Sequence, residues 1–436
     1  MRYTFVSLAA LSAGVVFGGP LRAQSVVRSD ALQPAAAWSS SFGGELRERF
    51  ESSRHPAFGL DEPARNDYFL HRAVLSGELR RGTDLRAFVE LASGLTSGWT
   101  GAPPPTQDDA LDVLQAYVEP SFAFANGRLA LRAGRQVLAL GASRLVSIRE
   151  SPNIRRAFDG LRVTWSRDEH RSVTAFYVRP VFPERGAVDD RSSAEQRFWG
   201  MYATLPISTV DGLSIDTYYL ALERADATFA VGEARERRHT VGARVFGERE
   251  EWDWNLESAW QWGSFGESRI RAWTVSIDFG FELAGLPLSP RLGLKADAIS
   301  GDRNPHDGEL GTFNALFPKL PYFSEANLAA PANLLDVQPN VSFALTHALS
   351  LRLSWNGLWK YTTADAFYAP PLAPVDGTSL TPARDIGWQA SSLIEWQIAA
   401  DVELAATYVS FEPRSVVRQE GGRAGSFFGA WLRWTF

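Results

Sequence analysis

The chain has 436 residues, with 44 Lys and Arg against 50 Asp and Glu, and a formal net charge of −6. That balance excludes a nucleic-acid partner gripped through its phosphates. The complete lack of cysteine excludes disulfides, thiolate metal sites and a lipoprotein anchor.

Residues 1–23 read as a secretory signal peptide. Arg2 precedes a largely apolar run from Phe5 to Phe17, and Leu21-Arg22-Ala23 supplies a small residue before Gln24. Loss of Arg2 and Arg22 with this leader would leave a net charge of −8. No stretch reaches the ~18–20 unbroken apolar residues of a spanning helix. An exported chain of this kind stays soluble in the periplasm or crosses a membrane as strands. Residues 24–40 read as a flexible periplasmic lead, and 41–436 as one transmembrane β-barrel.

After Ser40 apolar residues recur with a period of two, in about eighteen segments. They start near residues 41, 68, 83, 111, 127, 159, 171, 196, 212, 238, 251, 270, 290, 334, 349, 385, 401 and 425. Short connections at 81–83, 124–127, 167–170, 208–212, 347–349 and 399–401 alternate with long ones. The long ones span 52–66, 94–109, 138–157, 180–195, 224–236, 302–332, 361–383 and 412–423, and only 263–268 breaks the alternation. Short turns on one side and long loops on the other are the pattern of a bacterial outer-membrane barrel. An even strand count puts both termini in the periplasm.

The clearest segment is Trp252-Asp-Trp-Asn-Leu-Glu-Ser-Ala-Trp-Gln-Trp262. One face carries Trp252, Trp254, Leu256, Trp260 and Trp262; the other carries Asp253, Asn255, Glu257 and Gln261. Fifteen Trp in the chain suit aromatic girdles at the two lipid interfaces. The last segment places Phe428, Ala430, Leu432, Trp434 and Phe436 on one face. Such a terminal aromatic strand resembles the signal that directs outer-membrane proteins to their insertion machinery. The fold expected is therefore all-β: an 18-stranded antiparallel transmembrane β-barrel in outer-membrane lipid.

Strand parity then separates lumen from lipid. The early strands turn Arg47, Arg49, Arg72, Arg80, Arg86, Arg128, Arg132 and Arg162 inward, with Glu45, Glu51, Glu78, Glu90 and Glu119. The loop after the fifth strand adds Arg144, Arg149, Arg155 and Arg156 against Glu150. Later strands are more acidic: Asp216, Asp253, Glu257, Asp278, Asp297, Asp385, Glu395 and Glu403 face Arg244, Lys295, Arg352, Lys360 and Arg433. One basic and one acidic wall are expected, with an arginine cluster from Arg128 to Arg162 that favours anions. The basic residues are 41 Arg and three Lys, Lys295, Lys319 and Lys360.

Three stretches carry a resemblance. The first runs from Leu111-Asp-Val-Leu-Gln-Ala-Tyr-Val118 through Leu131-Arg-Ala-Gly-Arg-Gln136 to Gly141-Ala-Ser-Arg-Leu-Val146. The second is Asn153-Ile-Arg-Arg-Ala-Phe-Asp-Gly-Leu-Arg162. The third is Ala298-Ile-Ser-Gly-Asp-Arg-Asn-Pro305 with Gly311-Thr-Phe-Asn-Ala-Leu-Phe-Pro318. Together they resemble the alginate-export family of outer-membrane porins, over roughly residues 43–436. The resemblance implies an eighteen-stranded monomer with a narrow, arginine-rich pore for an acidic polysaccharide. It places Arg132, Arg135, Arg144, Arg155, Arg156, Asp159 and Arg162 at or near the constriction. Arg135 has lipid-facing parity with Leu129 and Leu131, which only a bulge or the strand's end would redirect. Asp302 and Arg303 open the longest loop.

The function expected is passive export or conduction of an acidic polysaccharide or other small anions, with no cofactor and with periplasmic export components as candidate partners. The alternatives are a general diffusion porin, a sealed barrel working through its loops, and an outer-membrane hydrolase. The last lacks support: none of His55, His71, His170, His239, His306 and His347 sits in a nucleophile or metal motif. Where residues 138–157 and 302–332 fold separates an open channel from a sealed one.

Overall fold

The computed structural model describes residues 37–60, 63–207 and 212–436. The leader at 1–23 and most of the lead at 24–40 lie outside the described residues. The barrel strands are β1 (Trp38–Arg54), β2 (Arg65–Arg81), β3 (Leu85–Ser97), β4 (Asp109–Phe124), β5 (Gly127–Val137) and β6 (Ala157–Ser166). Next come β7 (Ser172–Phe182), β8 (Gln196–Pro206), β9 (Leu213–Phe229), β10 (Gly232–Arg249), β11 (Trp252–Phe265) and β12 (Ser268–Glu282). The last six are β13 (Arg291–Ile299), β14 (Leu334–Thr346), β15 (Leu349–Lys360), β16 (Asp385–Ala399), β17 (Val402–Pro413) and β18 (Gly425–Thr435).

Each strand pairs antiparallel with its sequence neighbour, and β18 returns to β1 with Glu45 opposite Thr435 and Arg54 opposite Ser426. Closure leaves no unpaired edge, which is what a sheet in hydrocarbon requires. The final residue takes part. Gly44 and Phe436 exchange backbone hydrogen bonds of 3.0 and 3.1 Å. A Cβ on Gly44 would lie 2.5 Å from the Phe436 ring and 2.6 Å from the Val74 carbonyl oxygen, so only glycine permits this approach.

Alternation produces the two faces. On β11, Trp252 and Trp260 are 52% and 41% exposed, while Glu257 and Gln261 are 8% and 0% exposed. Ten residues separate Trp252 from Trp262, which at ~3.3 Å per residue and a tilt near 40° spans the ~25 Å apolar band of an outer-membrane barrel. Exposed Leu75, Leu161, Met201, Val241, Leu353 and Leu432 continue that band around the ring. No helix among the described residues is long and apolar enough to cross a membrane.

All eighteen expected segments form strands, with the largest offset at the tenth, which starts at Gly232 rather than near 238. One expected loop is absent. Residues 224–236 are not a long connection: β9 and β10 run on past the charges and meet across Ala230 and Val231. The charges there look solvent-bound in sequence but pair across the hairpin, Arg224 with Glu236 at 2.5 Å. Phe229 packs with Phe265, Ile270 and Tyr368, which caps this tall wall.

The lumen is largely filled at the long-loop end. Inward-facing Phe158, Phe176, Val178, Phe198, Tyr202, Tyr218, Leu220 and Leu222 form an apolar wall from β6 to β9. Against it lie Leu138, Leu145 and Val146 of loop 138–156 and Phe313, Ala315, Phe317 and Phe323 of loop 300–333. Burying such side chains contributes roughly 1.5–3 kcal/mol each, so both loops belong to the core.

Candidate functional site

Loop 138–156 enters the lumen as a tight turn. Leu140 N donates to Val146 O at 3.1 Å and Ser143 N to Leu140 O at 2.9 Å. Gly141 sits at φ +53°, and a Cβ there would meet the Tyr202 hydroxyl at 2.1 Å. That hydroxyl donates to Asp216 Oδ2 at 2.6 Å, which also accepts from Arg244 at 2.7 Å. Loop 300–333 descends beside this turn and the two latch through backbone: Ser147 N to Phe317 O (2.9 Å), Phe317 N to Leu145 O (2.8 Å) and Lys319 N to Ser143 O (3.0 Å). Arg156 stacks over the Phe317 ring at 4.9 Å.

Loop 138–156 is tied to the β1–β2 wall by charge. Glu150 accepts from Arg155 at 2.6 and 2.8 Å and from Arg72 through a short hydrogen bond. Glu45 accepts from Arg72 at 2.7 Å and from Arg155 at 2.6 Å. Arg47 has no carboxylate partner among the described residues. It donates to the backbone oxygens of Glu150 (2.9 Å) and Ser151 (3.3 Å), and its Nε has no acceptor. Burial works against the Glu150 charge, but Arg72 and Arg155 outweigh it and hold the carboxyl well below its usual range.

Under the latch a cavity of about 200 Å³ remains. Six cations line it: Arg47, Arg49, Lys295, Lys319, Arg352 and Arg433; the lining acids are Glu150 and Glu325. Several of these charges are partly answered. Arg49 pairs with Glu51 (2.5 Å) and Glu325 (2.7 Å), Lys295 stands 3.6 Å from Asp278, and Arg433 pairs with Glu403 at 2.5 Å. Lys319 differs. No ion pair to its ammonium is found among the described residues, and Tyr322 lies 5.9 Å away. Burial, then the nearby charges of Lys295 and Arg144, push the Lys319 ammonium down to about 7.

The structure distributes the sequence-expected residues over four places. Arg47, Arg49 and Arg352 line the cavity, with Arg72 and Arg155 directly behind Glu150. Arg144 lies next to it, 3.8 Å from Glu257, and Asp297 faces the same region, accepting from Ser276. Arg86, Arg132 and Arg162 form a separate group near the turn end. There Arg86 and Arg132 pair with Glu78 and Glu119 at 2.6 Å, and Arg132 stacks 3.9 Å over Tyr117.

Arg135 and Asp159 are not brought to the cavity. They pair with each other at 2.9 and 3.0 Å on the face opposite Arg132, under loop 183–195. Asp302 and Arg303 hold the neck of the long loop. Asp302 N donates to Asp365 Oδ2 at 2.8 Å, Arg303 contacts Tyr361, and burial pushes the Asp302 carboxyl up to about 6.

Basic and acidic side chains of the two expected walls meet in local pairs, among them Arg72–Glu45, Arg132–Glu119, Arg244–Asp216 and Arg433–Glu403 between neighbouring strands. Lys319 and Tyr322 carry no strand parity, and their place in the lumen follows from the latch. Arg156 and Arg149 are further cations without a carboxylate partner among the described residues. Burial pushes Arg149 down to about 10 and Arg156 well below its usual value, with Arg149 adding to the latter.

A closed ring of strands with an apolar outer band and a charged, loop-constricted lumen defines a channel of the bacterial outer membrane. The sequence matches the Alginate export family over residues 39–430, and the chain belongs to that family. No curated protein gives a significant match. Among solved structures, the chain is similar to a BenF-like porin from Pseudomonas fluorescens Pf-5, with TM-score 0.63 and 10% identity, covering 91% of this chain and 98% of that one. It is also similar to Pseudomonas aeruginosa OccK5 (OpdH), with TM-score 0.58 and 14% identity over 91% and 98%. OccK2 (OpdF) of the same species, solved in complex with glucuronate, gives TM-score 0.60 and 11% identity over 91% and 96%. At these identities the likeness is one of fold.

Proposed function

We propose that this channel passes anionic solutes of the uronate class, as monomers or as residues of an acidic polysaccharide, through the basic cavity beneath the latch. The observation that carries the reading is the lining itself, with six cations against two acids. A carboxylate entering it meets Arg47 and Lys319, whose charges no carboxylate among the described residues answers directly. Guanidinium and ammonium groups in a low-dielectric lumen replace part of the hydration an anion loses there.

Family membership supports an acidic polysaccharide as cargo, and the glucuronate bound to OccK2 is an acid of the same kind. The cavity volume favours monomer-sized cargo while the latch is closed. It lies below the ~300–1,000 Å³ of pockets for drug-sized ligands. Passage of a polymer therefore requires the two inner loops to separate.

Liposome flux tests this directly. Barrels reconstituted at pH 6 are expected to pass glucuronate several times faster than glucose, which has nearly the same size and no charge. Equal flux would reduce the protein to a general diffusion porin, and no flux of either would leave a sealed barrel acting through its loops.

The Lys319 ammonium adds a pH dependence. The group is charged below pH 7 and neutral above it, so anion preference should fall as pH rises from 6 to 8. Lys319→Met should show the lower preference at both values. Reversal potentials measured at each pH check this, and a wild-type preference that rises with pH would contradict it.

A further inference from the structure

Three carboxylates converge at the long-loop end of β4: Asp109 and Asp112 from the strand and Asp190 from loop 183–195. One oxygen of each lies within 4.8 Å of the others. Local backbone brings them together. Asp112 pairs with Ala92 but Asp109 pairs with Gly94, so β4 carries one extra residue here. The bulge turns two aspartates three residues apart onto one face. The loop is then laid alongside: Val188 N donates to Leu111 O at 2.9 Å, and Ala110 N to Arg185 O at 3.3 Å. Asp190 N donates to Asp112 Oδ1 at 3.2 Å, and Arg135 donates to the Asp190 carbonyl at 3.3 Å.

Several of the chain's other buried carboxylates are each answered by an arginine. Glu45, Glu51, Asp216 and Glu236 each meet an arginine at 2.7 Å or less. No ion pair reaches the side chain of Asp109, Asp112 or Asp190 among the described residues. Asp109 is 1% exposed and neither of its oxygens has a hydrogen-bond donor among the described residues; Asp112, 4% exposed, has Oδ2 unpartnered among them as well. A carboxylate whose two oxygens are both buried and unpartnered is costly unless something outside the protein's own donor set neutralises it.

We propose that Asp109, Asp112 and Asp190 bind one divalent cation of the calcium class, which clips loop 183–195 to the barrel rim. All the side-chain donors are hard oxygens. Calcium tolerates the irregular geometry of a bulge and a loop better than magnesium, which demands a near-ideal octahedron. Bound cation removes the mutual repulsion of the three charges and replaces the missing hydrogen bonds. The loop would then open when the cation is withdrawn.

The test uses the full barrel in detergent, stripped with EDTA and titrated calorimetrically with calcium chloride. In parallel, trypsin cleavage is followed at Arg185 and Arg191, both exposed in the loop. One calcium per barrel is expected, with cleavage at these two sites slowed about ten-fold or more relative to EDTA. Asp109→Asn/Asp112→Asn should abolish both effects, and the single loop variant Asp190→Asn, which leaves the strands untouched, should weaken both. Heat-modifiable migration on gels reports that each variant is folded. Absence of calcium binding, with identical cleavage in calcium and EDTA, would overturn the proposal in favour of a cluster held by protons. Undiminished one-site binding in the variants would place the cation elsewhere and overturn it equally.

Discussion

Replacing residues 300–333 by a short Gly-Ser linker is expected to raise single-channel conductance by roughly five- to ten-fold. Ile299 and Leu334 face each other directly across the β13–β14 pair, so a tight linker preserves register and the ring stays closed. The deletion removes Phe313, Ala315, Phe317 and Phe323 from the lumen, and with them the latch on loop 138–156. Lys319 leaves too, so selectivity for anions should fall as conductance rises. Planar-bilayer recordings of folded barrel check both. Unchanged conductance would show that the constriction lies elsewhere, with the other loops or with the Arg86–Arg132 group as candidates.

The second large effect concerns Glu150. In Glu150→Gln the partners Arg72 and Arg155 stay buried with Glu45 as their remaining acid, and the loop loses its ion pair to Arg72 of β2, keeping only Arg155–Glu45 as a charged tie to the wall. Breaking one partner of a buried ion network costs about 3–5 kcal/mol. Hydrogen exchange of amides in 138–156 should accelerate by roughly two to three decades, while exchange in β1 and β2 stays slow. Acid should act in the same direction. The Glu150 carboxyl titrates below its ordinary value, so its contribution is fully present above the unfolded-state value and is lost as pH falls towards the folded one. Open events should become more frequent below about pH 4. A loop that exchanges no faster in the variant would mean that its apolar contacts alone hold it.

The barrel was legible because lipid on one side and water on the other impose a period of two on every strand, from Trp252 and Glu257 to Leu432 and Arg433. The hairpin at 224–236 differs from the expected loop because Arg224 and Glu236 carry the composition of a solvent loop. Their pairing across β9 and β10 appears only once the register is known. The plug leaves its own signal in the strand pattern. Phe158, Phe176 and Phe198 occupy lumen positions on strands whose outer faces are also apolar, a pattern that only something buried inside can satisfy. Which arginines stay unanswered was not readable from sequence. Arg49 and Arg47 share a strand and a face, yet Glu51 and Glu325 answer one while backbone carbonyls surround the other. The acid cluster at Asp109, Asp112 and Asp190 stayed hidden because a bulge and a loop more than 70 residues away in sequence assemble it.

The most direct test of the basic cavity is the reversal potential of the wild-type channel in a planar bilayer at pH 6 under a potassium chloride gradient, followed by addition of glucuronate. The account predicts a potential shifted towards that of chloride, with current block by glucuronate that weakens in Arg352→Gln/Lys319→Met. A potential shifted towards potassium, or conductance indifferent to glucuronate, would contradict it.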